Sequence, residues 1–161
     1  MTLIATAASL LHAAVQDLHA GKTDAAKRLP GVADHATDAA LVTLLQDEAQ
    51  RAGKQADRLA ATGMNAAGPK NLWMAGILDD AERDGSSTEP GRLLDIALIG
   101  AIRKAKAAEI VSSETALALA TELDDAALSA AVRANLEEEI ATDRALKARL
   151  AALTIAARAG A

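Results

Sequence analysis

The sequence predicts an all-α protein built from four long helices, and three observations support this prediction. Along four segments, apolar residues recur every three or four positions, which is the spacing of one helix face. Roughly a quarter of the chain is Ala, the strongest helix former. Proline and glycine pairs, such as Pro30-Gly31 and Pro90-Gly91, stand near the ends of these segments, where helix-breaking residues are expected.

The 161 residues suit a single domain, spanning 1–161. The helices are predicted at about residues 2–35, 38–62, 72–83, 92–123 and 125–153, the third being short. We expect a kink at Pro30 in the first, because proline removes a helical hydrogen bond. Short turns join the long helices into two antiparallel hairpins, and a long connection that carries the short helix joins the hairpins. This is the topology of a ferritin-like four-helix bundle.

Charged residues interrupt each apolar stripe once, near its middle. They are Lys22 in the first long helix, Glu48 and Arg51 in the second, Lys106 and Glu109 in the third, and Glu139 in the fourth. A layer of carboxylates inside a four-helix core is where di-iron and di-manganese proteins hold their metals. Here the layer combines carboxylates with lysine and arginine.

Four stretches of the chain resemble the YciE/YciF-type ferritin-like family, a bacterial, stress-associated family of unknown function. They are DLHAGKTDAAKRLP (17–30), WMAGILDD (73–80), DIALIGAIRKAKAAEI (95–110) and LEEEIATD (136–143), in order along nearly the whole chain. The resemblance implies a dimerising four-helix bundle with a di-metal-type centre between its helices.

The chain departs from the family pattern where that centre would lie. The family's helix-one Glu falls on Lys22, its helix-two His and Glu on Glu48 and Arg51, and its helix-three Glu-His pair on Lys106 and Ala107. The acidic residues that remain are Glu109 in the third long helix and Glu137, Glu138, Glu139 and Asp143 in the fourth. The family's metal centre therefore cannot be transferred whole to this chain.

Three interpretations of the charged layer stay open from the sequence. In the first, no metal is bound, and Lys22, Arg51 and Lys106 pair inside the bundle with Glu48, Glu109 and Glu139, because buried charges are tolerated when they are paired. In the second, a rearranged Fe or Mn site uses ligands drawn from Glu48, Glu109, Glu138, Glu139, Asp143 and His19. In the third, the helix register differs and these residues lie in solvent at helix edges.

The first interpretation predicts a non-catalytic structural or interaction protein, and the second a metal-dependent oxidoreductase or peroxide-handling protein. No catalytic residue is identified, since the serines lack a neighbouring His and Asp arrangement. The net charge of −5 and the near absence of aromatic residues argue against nucleic-acid binding. No apolar run is long enough for a membrane span. We expect a cytoplasmic homodimer, with a further protein partner as an open possibility.

Overall fold

A computed structural model describes residues 3–159 of the chain, with side chains described as far as Ile155. This part of the chain contains five helices: α1 (Ala7–Ala33), α2 (Ala39–Ala60), α3 (Leu72–Ser87), α4 (Arg92–Glu122) and α5 (Ala126–Ala159). None of them combines the length and hydrophobicity that crossing a bilayer requires. The prediction of an all-α fold is confirmed.

The four long helices form a ring in which α1 packs on α2, α2 on α5, α5 on α4, and α4 on α1. The pairs α1–α5 and α2–α4 therefore stand across the diagonals of the bundle. The short helix α3 lies outside the ring and packs on α1 and α4. Asp95 in the first turn of α4 fastens the turn between α1 and α2, since its carboxylate accepts 2.7 Å hydrogen bonds from the backbone N–H and the hydroxyl of Thr37.

The outer ends of α1 and α5 differ from the predicted boundaries. Helix α1 begins at Ala7 rather than near residue 2, because Thr6 and Ser9 form a reciprocal capping box that starts the helix there. It then continues through Pro30 to Ala33 as one helix. Helix α5 continues beyond the predicted end at 153 as far as Ala159, along an Ala-rich stretch with no helix breaker before Gly160.

The short helix α3 is longer than predicted, ending at Ser87 instead of 83. The sequence around Gly85 has the composition of a turn, but here the helix passes through it. The ring of His35 lies directly over Gly85, where an added Cβ would stand only 2.6 Å from the imidazole. The missing side chain thus lets the α1–α2 turn approach α3 closely, a contact between distant parts of the chain.

Two apolar clusters share the interior of the bundle. The first, larger cluster surrounds the α1–α2 turn and α3, and the second surrounds the start of α1 and the α4–α5 turn. A layer of buried polar and charged side chains separates them. Along α1, for example, Leu18 belongs to the second cluster and Ala25 to the first, and the buried charged residue between them on the same face is Lys22.

Candidate functional site

The charged part of the polar layer consists of five fully buried residues, which we call the ion cluster. It contains Lys22 from α1, Glu48 from α2, Lys106 and Glu109 from α4, and Glu139 from α5. None of the five exposes more than 1% of its surface. Every helix of the ring contributes, because each presents its inward stripe at the same height.

Lys106 occupies the middle of the ion cluster. Its ammonium group lies 2.5 Å from Glu109 Oε2, 2.5 Å from Glu139 Oε2 and in direct contact with Glu48 Oε1. An ammonium group has three N–H donors, and three carboxylates surround this one. The contact with Glu48 joins α4 to α2 across one diagonal of the bundle.

Lys22 joins the other diagonal. Its ammonium group contacts Glu139 Oε1 directly, which links α1 to α5, and lies 2.7 Å from Glu109 Oε1. Glu109 thus has one oxygen at ion-pair distance from Lys22 and the other at ion-pair distance from Lys106. Neither oxygen accepts a well-aligned hydrogen bond from the described residues. Glu139, which accepts a hydrogen bond from each lysine, is the main counter-charge of the cluster.

Arg51 closes the ion cluster on the side of solvent. Its Nη1 donates to Glu48 Oε2 at 3.0 Å and to the hydroxyl of Thr142 at 2.6 Å, and that hydroxyl in turn donates to Glu48 Oε2. The Arg51 side chain is 37% exposed. With Arg51 included, three cations stand against three carboxylates, so the formal charge of the site is zero if all six are ionised.

The buried position shifts the protonation equilibria of the cluster in opposite directions. Burial alone would lower the pKa of Lys106, but Glu109, Glu139 and Glu48 raise it well above the ordinary value. Burial would raise the pKa of Glu139, yet the charges of Lys106 and Lys22 lower it strongly. For Glu109 burial prevails over the same two lysines, and the pKa of this carboxyl is raised.

A di-metal centre does not fit this set of side chains. Glu48, Glu109 and Glu139 each offer an oxygen within 4.8 Å of the others, which is a spacing that a metal ion could use. However, Lys22 and Lys106 place their ammonium groups against those same oxygens. A metal ion there would face two cations in a site closed to water, where charge repulsion is strong.

The other candidate ligands lie outside the ion cluster. Asp143 is paired with Arg103 on α4, through Nε at 2.7 Å and Nη2 at 3.2 Å. Glu138 is paired with Arg58 on α2, and His19 lines a cavity next to residues 67–70 of the connection. The structure therefore brings none of these three side chains into the group that Glu48, Glu109 and Glu139 form.

A second polar contact between α2 and α5 was not predicted from the sequence. Arg58 donates to both Glu138 oxygens and to Asn135 Oδ1, and Gln55 Nε2 donates to Glu138 at 2.9 Å. Burial alone would raise the pKa of Glu138, but its hydrogen bonds with Arg58 and Gln55 lower it. The signal in the sequence is the spacing of Arg58, which lies two helical turns after Arg51 on the same side of α2.

Trp73, the only Phe, Trp or Tyr residue of the chain, makes its contacts within the fold. Its indole N–H donates to Asp17 Oδ2 at 2.9 Å, and its ring packs against the first apolar cluster. Asn71 caps α3 through the N–H of Met74 and donates to the backbone carbonyl of Asp17. These contacts attach the long connection to α1.

The unequal hydrogen bonding of Glu139 and Glu109 yields a prediction. We expect Glu139→Gln to lower the free energy of unfolding by about 3–5 kcal/mol, because it leaves both lysines without their main counter-charge. Glu109→Gln is the matched isosteric control, and it should cost clearly less, since burial already disfavours that charge. Urea unfolding of both variants measures the difference, and equal losses would contradict the role given to Glu139.

The pKa shifts also predict how stability depends on pH. Glu139, Glu138 and Asp38 have lowered pKa values in the folded state, so they stabilise it above an unfolded pKa of about 4 and lose this effect as the pH falls. Glu109 has the opposite effect on stability, because its pKa is raised in the folded state, but it is one carboxyl against three. Lys106, with its raised pKa, contributes below about pH 10 and loses its contribution as the pH rises through the folded value.

We therefore expect urea unfolding to show a plateau of stability from about pH 6 to 9, with losses on both sides. An unfolding free energy at pH 3 equal to that at pH 7 would show that these carboxylates are not stabilised by their partners.

Comparison with known proteins places the chain in a family. Residues 6–159 match the family model described as "Domain of unknown function (DUF892)". The structure of the E. coli stress protein YciF superposes with a TM-score of 0.90, at 22% identity, covering 94% of this chain and 98% of that one. YcfI of Rhodopseudomonas palustris, proposed to be a structural protein, superposes with a TM-score of 0.82, at 25% identity, covering 89% and 94%.

No curated protein sequence matches the chain. The match to YciF confirms the ferritin-like helical fold that the two hairpins and their long connection predict. The family match covers nearly all of the described residues and confirms the resemblance found in the sequence motifs. The chain belongs to the DUF892 family of YciF-type ferritin-like proteins.

Proposed function

We propose that this protein is a non-catalytic ferritin-like structural protein in which an ion cluster takes the place of a di-metal centre. The observation that carries the proposal is the position of Lys22 and Lys106, whose ammonium groups stand against all three buried carboxylates. Two lysine cations supply the positive charge that metal ions supply in a carboxylate-lined bundle. Because both ammonium groups lie against the carboxylate oxygens that would bind a metal ion, the ion cluster leaves no open coordination position of the kind that metal-ion catalysis uses.

The descriptions of the two relatives agree with such a role. One is a stress protein and the other is proposed to be structural. We extend these descriptions to this chain as a proposal: the protein acts through its folded surface, under stress, as a homodimer. A partner copy would cover apolar side chains that one chain leaves exposed, among them Leu72, Leu93 and Val111.

The alternative function is a metal-dependent oxidoreductase. It is favoured by one observation, the close approach of Glu48, Glu109 and Glu139. In that case Fe or Mn would have to displace both lysines from the carboxylates. The displaced ammonium groups would then be buried without partners or forced to deprotonate, at a cost of several kcal/mol.

Metal analysis separates the two functions. We expect protein purified without chelator, then incubated with Fe²⁺ or Mn²⁺ and desalted, to retain no stoichiometric metal. The double variant Lys22→Glu/Lys106→Glu is the positive control: it replaces both buried cations by carboxylates and leaves only Arg51, on the side of solvent, as a cation, so this variant should bind metal and become more stable with it. Retention of about two metal ions by the parent chain, the number of a di-metal centre, would overturn the proposal.

The proposed dimer has its own test. Light scattering coupled to size exclusion should give twice the mass of one 16.4 kDa chain. Val111→Glu places a charge at an exposed position of α4 and should shift the equilibrium towards the monomer, because charged side chains are disfavoured in the middle of an interface. A parent chain that runs as a strict monomer would remove the dimer from the proposed function.

A further inference from the structure

The seam between α2 and α5 contains a groove that lies beside the ion cluster. Two adjoining cavities of about 260 and 270 Å³ form it, and they share the side chains of Asp47, Arg51 and Glu138. Besides these shared residues, the first cavity is lined by Thr142 and by the apolar residues Leu44, Ala141 and Ala145. The second is lined by the polar residues Gln50, Lys54 and Arg58. The groove thus has an apolar end and a polar end, with Arg51 between them.

Two cations of the groove have donors that the fold does not use. Arg51 engages Glu48 and Thr142 through Nη1 alone, and no described residue accepts a hydrogen bond from its Nε or Nη2. Lys54 is exposed and forms no ion pair with any carboxylate whose position the structure describes. By contrast, Arg58 is committed to Glu138 and Asn135.

Unused donors, and not an excess of positive charge, favour an anion in the groove. Its lining includes three cations, Arg51, Lys54 and Arg58, and two carboxylates, Asp47 and Glu138, and the third carboxylate that balances them is Glu48 of the ion cluster, which pairs with Arg51. Glu138 is already neutralised by Arg58, with which it forms two hydrogen bonds. Arg51 is likewise paired with Glu48 of the ion cluster, so it offers the groove its unused N–H donors, and Lys54 is the cation of the groove without an ion-pair partner among the described residues.

We propose that this groove binds a small aliphatic carboxylate. The Nε and Nη2 edge of a guanidinium group matches the two oxygens of a carboxylate, so Arg51 holds the head group and Lys54 adds a second charge. The alkyl chain lies against Leu44, Ala141 and Ala145. Because the site uses donors of Arg51 that the ion cluster leaves free, it does not depend on whether the cluster excludes metal.

The test is a titration of the whole protein at low salt with acetate, butyrate and hexanoate, followed by calorimetry and by amide chemical shifts. Each methylene that enters the apolar end should strengthen binding about two- to fourfold. The largest shifts should fall on residues 44–54 and 138–145. Hexylamine, with the same chain and the opposite charge, should not bind.

Two variants with the same change of charge locate the site. Lys54→Glu should weaken hexanoate binding at least tenfold, because it reverses the free cation of the groove. Lys147→Glu, at an exposed position of α5 that lines neither cavity, should leave binding unchanged. Both positions are exposed, so both variants should keep the helical circular dichroism of the parent.

Three results would each overturn the proposal. One is the absence of saturable binding and of shifts with millimolar hexanoate. Another is binding of inorganic phosphate as tight as that of hexanoate, which would mark a general anion surface. The third is equal hexanoate affinity in Lys54→Glu and Lys147→Glu, which would place the ligand elsewhere.

Discussion

The contact of two buried lysines with three buried glutamates is the constraint on which the rest of this bundle depends. Removing such charges from water costs several kcal/mol for each ion, and only close opposite charges can offset this. Lys22, Lys106 and Glu139 must therefore come together as the four helices assemble. A helix displaced by one turn, about 5.4 Å, would leave an ammonium or carboxylate group buried without a partner.

That requirement matters more here than in a bundle with a bulky core. The interior contains many Ala residues and no aromatic side chain among its fully buried members, so its apolar contacts are shallow. Small side chains pack acceptably in more than one register, whereas the ion cluster has one favourable arrangement. We infer that the cluster specifies the register of the helices, while the two apolar clusters on either side supply most of the hydrophobic stabilisation.

The seam between α2 and α5 shows how the same constraint reaches the surface. Arg51 neutralises Glu48 through one nitrogen, and its remaining N–H donors stay available at the groove. Arg58 and Glu138 close the neighbouring part of the seam. Further along, Arg149 of α5 pairs with Asp38, the N-cap of α2. Ion pairs at both ends hold this seam together. Between them lie the edge of the ion cluster and the proposed ligand groove.

Much of the fold follows from the sequence, because helix periodicity and helix caps are local properties. The positions of Lys22, Lys106 and Glu139 on inward faces also follow from the three-and-four spacing alone. The same spacing is less reliable on α2, where Leu45 is fully buried and Leu44 only partly, since the apolar arc there is broad.

Which charged groups meet was decided by tertiary structure alone. The spacing places Glu139 on the inward face, but it does not tell that Glu139 meets Lys22 or that Glu138, one position away, pairs with Arg58. The close contact between Gly85 of α3 and His35 joins residues that are fifty positions apart in the chain. The sequence by itself thus determined the helices and their inward faces, and only packing determined the ion pairs, because a pair needs two side chains from different helices at one height.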